Sequence, residues 1–163
     1  MGFQLNGYNL GTDVSMTLQH VESGVVLPAA LLGHLMEFQF DQEDQVIRVV
    51  PITNGGKPLY NVVYMGWRGH AMFTRVNGAL TAILAATEKD YFDNGHLNHF
   101  NMLATVLNRD STVDQYMFTA GVLSRHQGGN FRADKEVDQR IEFNFQRMVL
   151  TAGYAALLPI AAG

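Results

Sequence analysis

The feature that most constrains this chain is a period of two in its apolar residues. In residues 12–19, Val14, Met16 and Leu18 alternate with polar side chains. Successive side chains of an extended strand point to opposite faces, so such a segment buries one face and exposes the other. The same alternation predicts about seven strands, in residues 12–19, 34–41, 46–52, 59–76, 100–106, 116–122 and 141–145.

One segment departs from this alternation and has the spacing of a helix. Its residues at helical spacing are Leu80, Leu84, Thr87 and Tyr91. They predict a helix over about residues 78–93, with Asn77 as its N-cap and Asn94-Gly95 as its C-terminal cap. Such a helix is marginal alone in water, so it must pack on a sheet. The predicted fold class is therefore mainly β: an antiparallel β-sandwich or small barrel with one packed α-helix.

Length and charge limit the class of protein further. With 163 residues, the chain is expected to form a single domain, 1–163. Its net charge of −4 argues against sequence-driven binding to nucleic acid, and its lack of cysteine excludes a disulfide scaffold. Residues 1–10 have neither the basic nor the apolar part of a signal peptide, and the apolar stretch 148–163 is too short for a span of ~20 residues. We expect a soluble protein, assembled inside the cell, with no membrane partner.

The predicted strands have little protection against pairing with another chain. Lysine, which often prevents an edge strand from pairing with another chain, occurs only at positions 57, 89 and 135. The acidic run 41–44 separates two predicted strands and indicates a hairpin that projects around residues 41–45. The apolar segment 149–163 is predicted to be a C-terminal extension that packs against other subunits, because exposed it would be a solubility liability.

No catalytic or metal-binding constellation is evident, and no cofactor is expected. His96 and His99 have metal-ligand spacing, but a zinc site needs three or four ligands. The remaining histidines have no serine or aspartate partner in a recognised arrangement. A small-ligand-binding β-barrel is the competing class of function. Its pocket would be lined by Tyr60, Tyr64, Trp67 and His70.

Two blocks of sequence carry a distinctive order of small, aromatic and charged residues. The first is Gly-Trp-Arg-Gly, a strand that leads through an arginine into the predicted helix. The second is the glycine-rich loop 128–137, with an Ala-Asp pair, which leads into the last alternating strand. Their joint order resembles that of tail tube proteins of contractile-tailed bacteriophages, with the family-motif residues Gly66, Trp67, Gly69, Arg75, Ala133 and Asp134. The segment after Arg147 lies outside this pattern.

This resemblance implies a structural virion protein of the phage tail, assembled in the host cytoplasm, and not an enzyme. Members of that family form hexameric rings whose sheets join into a continuous inner β-barrel. The rings stack into a tube that conducts DNA, and a contractile sheath surrounds it. The implied partners are other copies of the chain, the tail sheath protein, baseplate and tail terminator proteins, and the tape measure protein and DNA in the lumen. The same architecture serves secretion-type tubes, both Hcp-like and pyocin-like, which is the alternative interpretation.

A channel that conducts DNA must not bind the DNA tightly. Each cation on its wall would add a phosphate contact, so a neutral or acidic wall is expected. The candidate lumen-facing residues are Ser15, Thr17, Gln19, Glu37, Gln39, Gln115, Thr119, Glu142, Asn144 and Gln146, together with Asp41. Taken one by one, they would equally suit an ordinary solvated face.

Contacts between rings or subunits are predicted from charge and from the apolar tail. An acidic hairpin tip would meet basic residues of the next ring, each exposed pair contributing only about 0–1 kcal/mol. The candidate residues are Asp41, Glu43, Asp44, Arg125, Arg132, Arg140, Leu157 and Leu158.

Overall fold

Strands dominate the computed structural model, which describes residues 14–108 and 111–152. The strands are Val14–His20 (β1), Val26–Leu27 (β2), His34–Val49 (β3), Leu59–Thr74 (β4), Phe100–Leu107 (β5), Val113–Gln127 (β6), Asp138–Phe145 (β7) and Arg147–Ala152 (β8). The helices are Ala29–Leu32 (α1) and Ala79–Asn94 (α2), and Ile52–Asn54 is a 3₁₀ turn. The predicted helix over 78–93 is confirmed as α2.

The strands form an antiparallel path in the order β2-β1-β5-β6-β7-β4-β3, with β8 also paired to β6. The long strand β6 belongs to both halves of this path. Its first part pairs with β5 and β8, and residues 122–127 pair with β7. We call β2-β1-β5-β6-β8 the first sheet and β6-β7-β4-β3 the second sheet. Ala120, with φ of 52°, lies where β6 passes from one to the other.

Side chains from both sheets meet in one core. Phe118 of the first sheet packs edge-on against Phe40 of the second, with ring centroids 5.3 Å apart, and against Phe145 at 5.5 Å. Inward residues of β1 and β5, such as Leu18 and Met102, are fully buried in the same cluster. The chain therefore has the predicted antiparallel β-sandwich with one packed helix of substantial length.

Helix α2 is attached to the sandwich by one buried polar contact and by apolar packing. Gln139 of β7 is buried and donates from Nε2 to Thr81 Oγ1 over 3.1 Å, while Leu80 joins the core. Gly95 ends the helix in the left-handed region, with φ of 69°, as predicted. The predicted N-cap was one residue too early: Gly78 takes that position, and Asn77 Oδ1 accepts from the Ala79 N–H over 2.9 Å.

The projecting hairpin lies beyond the predicted residues 41–45. Strand β3 continues through this acidic run, because Asp41 pairs with Arg68 and Asp44 with Tyr64. The chain turns only at residues 50–58, between β3 and β4. The prediction was wrong because acidic side chains do not interrupt a strand whose exposed face can hold them.

The predicted C-terminal extension begins as a strand of the first sheet. Its first residues belong to β8, which pairs with β6 from Gln115 to Thr119. Leu157 and Leu158 lie outside the described residues. No helix within residues 14–108 and 111–152 is long and apolar enough to cross a membrane.

Candidate assembly surfaces

The most unusual surface is the distal half of the β3–β4 hairpin, residues 44–64, which we call the arm. Strand β7 pairs with β4 only from Trp67 to Thr74, so in the arm β3 and β4 pair with each other alone. All described arm side chains of the two strands are exposed. A two-stranded ribbon of this kind is marginally stable in water at best.

Apolar side chains cover both faces of the arm. Val46 and Val62 are cross-strand partners on one face, and Val49 and Leu59 are partners on the other. At the turn, Ile52 is 99% exposed. Exposed apolar surface on both sides of one ribbon makes the arm a candidate interaction surface.

The arm leaves the sandwich at a bulge next to the first family-motif block. The register of β3 against β4 shifts between Glu43 and Asp44, opposite Gly66. Gly66 has φ of 103°, which favours glycine, and a Cβ there would lie 2.6 Å from the carbonyl oxygen of Phe145. Gly66 therefore sets the point from which the arm projects.

The remaining motif residues join the two blocks in space. The Arg75 guanidinium lies over the ring of Phe131, 5.3 Å from its centroid, and the Arg75 N–H donates to the Val137 carbonyl over 2.7 Å. Trp67 packs against Phe40 at the edge of the core, with ring centroids 5.8 Å apart. Ala133 and Asp134 lie in the exposed loop that Phe131 anchors.

The outer face of the second sheet is polar and contains a cavity of about 310 Å³. The cavity is lined by Gln39, Asp41, Arg68, His70, Ser124, Arg140, Glu142 and Asn144, with Gly69 and Phe143. A hydrogen bond and two ion pairs cross this face: His70 Nε2 lies 2.6 Å from Glu37 Oε1, Arg68 lies 3.0 Å from Glu43, and Arg140 lies 3.7 Å from Glu142. The sequence pattern did not indicate Arg68 or His70 for this face, since their partners lie more than twenty residues away.

The outer face of the first sheet is almost free of charge. Cross-strand rows there join Thr17, Leu103, Met117 and Val149, and also Ser15, Thr105 and Gln115. Arg147 on β8, opposite Thr119, is the one cation among these outward positions in the described strands.

The predicted lumen-facing residues divide between these two faces. Glu37, Gln39, Asp41, Glu142 and Asn144 lie on the second sheet. The first sheet holds Ser15, Thr17, Gln19, Gln115 and Thr119. Gln146 lies between β7 and β8, where its N–H donates to the Thr119 carbonyl over 3.2 Å. Both sheets contribute inward side chains to one core, so the predicted set lies on two different outer faces of the subunit.

The residues predicted for contacts between rings are also dispersed. Asp41, Glu43 and Arg140 lie on the polar face, and Glu43 and Arg140 already have partners in their own chain. Asp44 stands at the base of the arm, Arg132 in the loop 128–137, and the backbone of Arg125 in β6.

The ligand pocket predicted for the competing class of function does not form. Tyr60 and Tyr64 are exposed on the arm, and Tyr64 is 71% exposed. Trp67 packs towards the core, while His70 lies on the polar face. These four residues have different surroundings, so the predicted pocket was wrong.

The two histidines with metal-ligand spacing approach different carboxylates. His96 Nδ1 lies 3.6 Å from Asp90, whereas His99 Nδ1 lies 2.9 Å from Glu22. Hydrogen bonds from Asn94 and Asn98 lower the pKa of Asp90. Within the described ranges, no three His, Cys, Asp or Glu residues are grouped closely enough to hold a metal ion.

Solved structures of known proteins share this fold, although the chain matches no protein-family model and no curated protein. One match is a chain in the structure of the anti-feeding prophage cap, which terminates the tube of that particle. The TM-score is 0.66 over 94% of this chain and 97% of that one, at 10% identity. A chain in the extended PVC sheath–tube complex of an extracellular contractile injection system matches with a TM-score of 0.62 over 91% and 95%, at 9% identity. A chain of the native gene transfer agent virion matches with a TM-score of 0.54 over 89% and 100%, at 12% identity.

Proposed function

We propose that this chain, which has the tail-tube-type fold, is a structural subunit that assembles with copies of itself into a hollow tube. The observation that carries this proposal is the arm. It exposes apolar side chains on both faces and contributes no residue to the buried core of its own chain. Because every copy of the chain carries the same arm, a second copy is the partner that we assign to it.

The sheet edges support the same proposal. Strand β3 pairs with β4 on one side, and along its 16 residues no described strand pairs with its other edge. Strand β8 pairs only with β6 in the described part of the chain. Open edges of this length invite pairing with another chain. A head-to-tail interface that closes into a ring would satisfy them, and one that propagates would give a filament.

The polar face of the second sheet is the surface that we assign to the bore. It contains a cavity, and Glu37, Asp41, Glu43 and Glu142 on this face would repel the phosphates of duplex DNA. The nearly uncharged face of the first sheet then points outward. This assignment keeps Glu37, Gln39, Glu142 and Asn144 as lumen candidates and removes those on β1 and on the first part of β6.

The full form of the proposal is a phage tail tube. Hexameric rings would stack inside a contractile sheath, and the bore would hold the tape measure protein before DNA passes. Baseplate and tail terminator proteins would bind its ends. Particle-associated location follows from this role.

A tube of a contractile injection system is the second candidate. The observation that favours it is the match to chains of the anti-feeding prophage cap and of the PVC sheath–tube complex, with TM-scores of 0.66 and 0.62 against 0.54 for the gene transfer agent virion. The two candidates share the tube and differ in the cargo.

Electron microscopy of the purified protein tests the common part. We expect negatively stained samples to contain rings or hollow rods that lengthen as the protein concentration rises. Light scattering that shows only monomers at the highest soluble concentration, with no rings in the images, would refute the tube.

A further inference from the structure

A groove with a volume of about 540 Å³ lies between α2 and the second part of β6. Leu84 and Leu97 line one side of it, and Val122 and Leu123 line the other. Leu97 is 60% exposed, so the apolar lining reaches the surface. A volume of this size is within the range of binding cavities.

The groove also lies along a strand edge that has no backbone pairing in the described part of the chain. Residues 122–127 of β6 pair with β7 on one side, and no backbone pairing is found on their other side within the described residues. An occupant that brings both apolar side chains and backbone N–H and C=O groups would satisfy these needs together.

The arm has this combination, and its charge is complementary to the groove. The arm carries Arg48 and Lys57, and its one acidic residue, Asp44, stands at its base. Glu88 lines the groove, and α2 carries more acidic than basic residues. Neither Arg48 nor Glu88 has an ion pair within the described residues.

We infer that the arm of one copy docks in the α2–β6 groove of the next copy, with Arg48 near Glu88. The inference rests on the proposed self-assembly and adds the surface that receives the arm. Because the arm and the groove are different surfaces of one subunit, the contact is head-to-tail and repeats from copy to copy. It would cover the apolar arm and supply hydrogen-bond partners at the edge of β6.

Cross-linking locates the contact directly, because the chain contains no cysteine. Ile52→Cys with Leu97→Cys puts one thiol at the arm turn and one at the groove. In the matched control, Ile52→Cys is combined with Leu107→Cys, at the end of β5, where leucine is 51% exposed. A short bismaleimide is expected to join the first variant into a ladder of covalent multimers and to leave the control as single chains. A ladder in the control alone, or equal ladders in both, would overturn the assignment of the groove.

Charge reversal provides a second, independent readout. Arg48→Glu and Glu88→Lys are each expected to raise the concentration needed for rod formation roughly 3- to 10-fold, because each places like charges together. The double variant R48E/E88K is expected to return it close to the original value. If the double variant is no better than the worse single variant, the docking site is wrong although the tube stands. If the unmodified protein forms no rods at all, the proposed function itself fails.

Discussion

Gly66 and Gly69 of the Gly-Trp-Arg-Gly block allow close backbone contacts on opposite sides of β4. Gly66 has positive φ and faces the carbonyl of Phe145, and a Cβ on Gly69 would overlap the carbonyl oxygen of Gln39 on β3. Neither contact can be relieved by rotation of a flexible side chain. The motif therefore holds β4 tightly between β3 and β7 at the base of the arm.

Replacement of either glycine is expected to destabilise the fold. Gly69→Ala and Gly66→Ala should each lower the free energy of unfolding by about 2 kcal/mol or more, because backbone must move to make room for the methyl group. Gly128→Ala is the control, since its nearest contact would be His126 Cε1 at 3.9 Å, and its effect should stay within about 0.5 kcal/mol. Urea denaturation of the three variants measures this, and equal effects at all three positions would contradict the role of the motif.

Glu22 ties the turn after β1 to the segment that precedes β5. Burial alone would raise its pKa, but hydrogen bonds from the backbone N–H and the imidazole of His99 outweigh this and lower the pKa below the ordinary value. Both carboxylate oxygens of Glu22 lie 3.0 Å from the backbone nitrogen of His99. The folded chain therefore holds this proton less tightly than the unfolded chain does.

This shift predicts a pH-dependent contribution to stability. The stabilisation by Glu22 should be fully present above the unfolded pKa of about 4.3 and should disappear as the pH falls through the lower folded pKa. The difference in unfolding free energy between the original protein and Glu22→Gln should be constant near neutral pH and shrink in acid. Denaturation curves from pH 7 to pH 3 test this, and a difference that does not change with pH would count against it.

At the scale of elements, alternation predicted where strands occur but not where the longest ones end. Strand β3 was predicted as two strands, because the acidic run around Asp44 resembled a turn. In the arm, where both faces are exposed, the pattern carries no information about a core. The passage of β6 from one sheet to the other, near Ala120, depends on tertiary packing and has no local signal. For the same reason the sequence could not show which polar strand faces share one side of the molecule.

The arm is the element whose removal separates folding from assembly. Asp44 and Tyr64 are paired across the strands, so an Asn-Gly turn in place of residues 45–63 should close the shortened hairpin. The melting temperature should stay within about 4 °C of the original, because no arm residue is part of the buried core. Rods should be absent in electron micrographs. Rods of normal length from this variant would exclude the arm from assembly.

At the scale of the whole molecule, the core and the assembly surfaces are made by different parts of the same strands. Residues 44–64 of the β3–β4 hairpin form the arm, and the remaining parts of β3 and β4 complete the sandwich. The sandwich then has two outer faces of different chemistry, one with a polar cavity and ion pairs and one nearly uncharged. In a closed tube these faces have different surroundings, because one is enclosed and the other meets bulk solvent or a sheath.

Labelling with reagents of two sizes tells which face lines the bore. Asn144→Cys places a thiol on the outer face of the second sheet, and Thr17→Cys places one on the outer face of the first, in a chain with no other cysteine. In assembled rods a small maleimide should react with both, since it can enter the bore. A maleimide coupled to a globular protein should react at position 17 and be excluded at 144, whereas unassembled subunits should react at both positions. The opposite selectivity in rods would place the uncharged face in the bore, so that the cargo would meet a wall of hydroxyl, amide and apolar groups with Arg147 as its recurring charge.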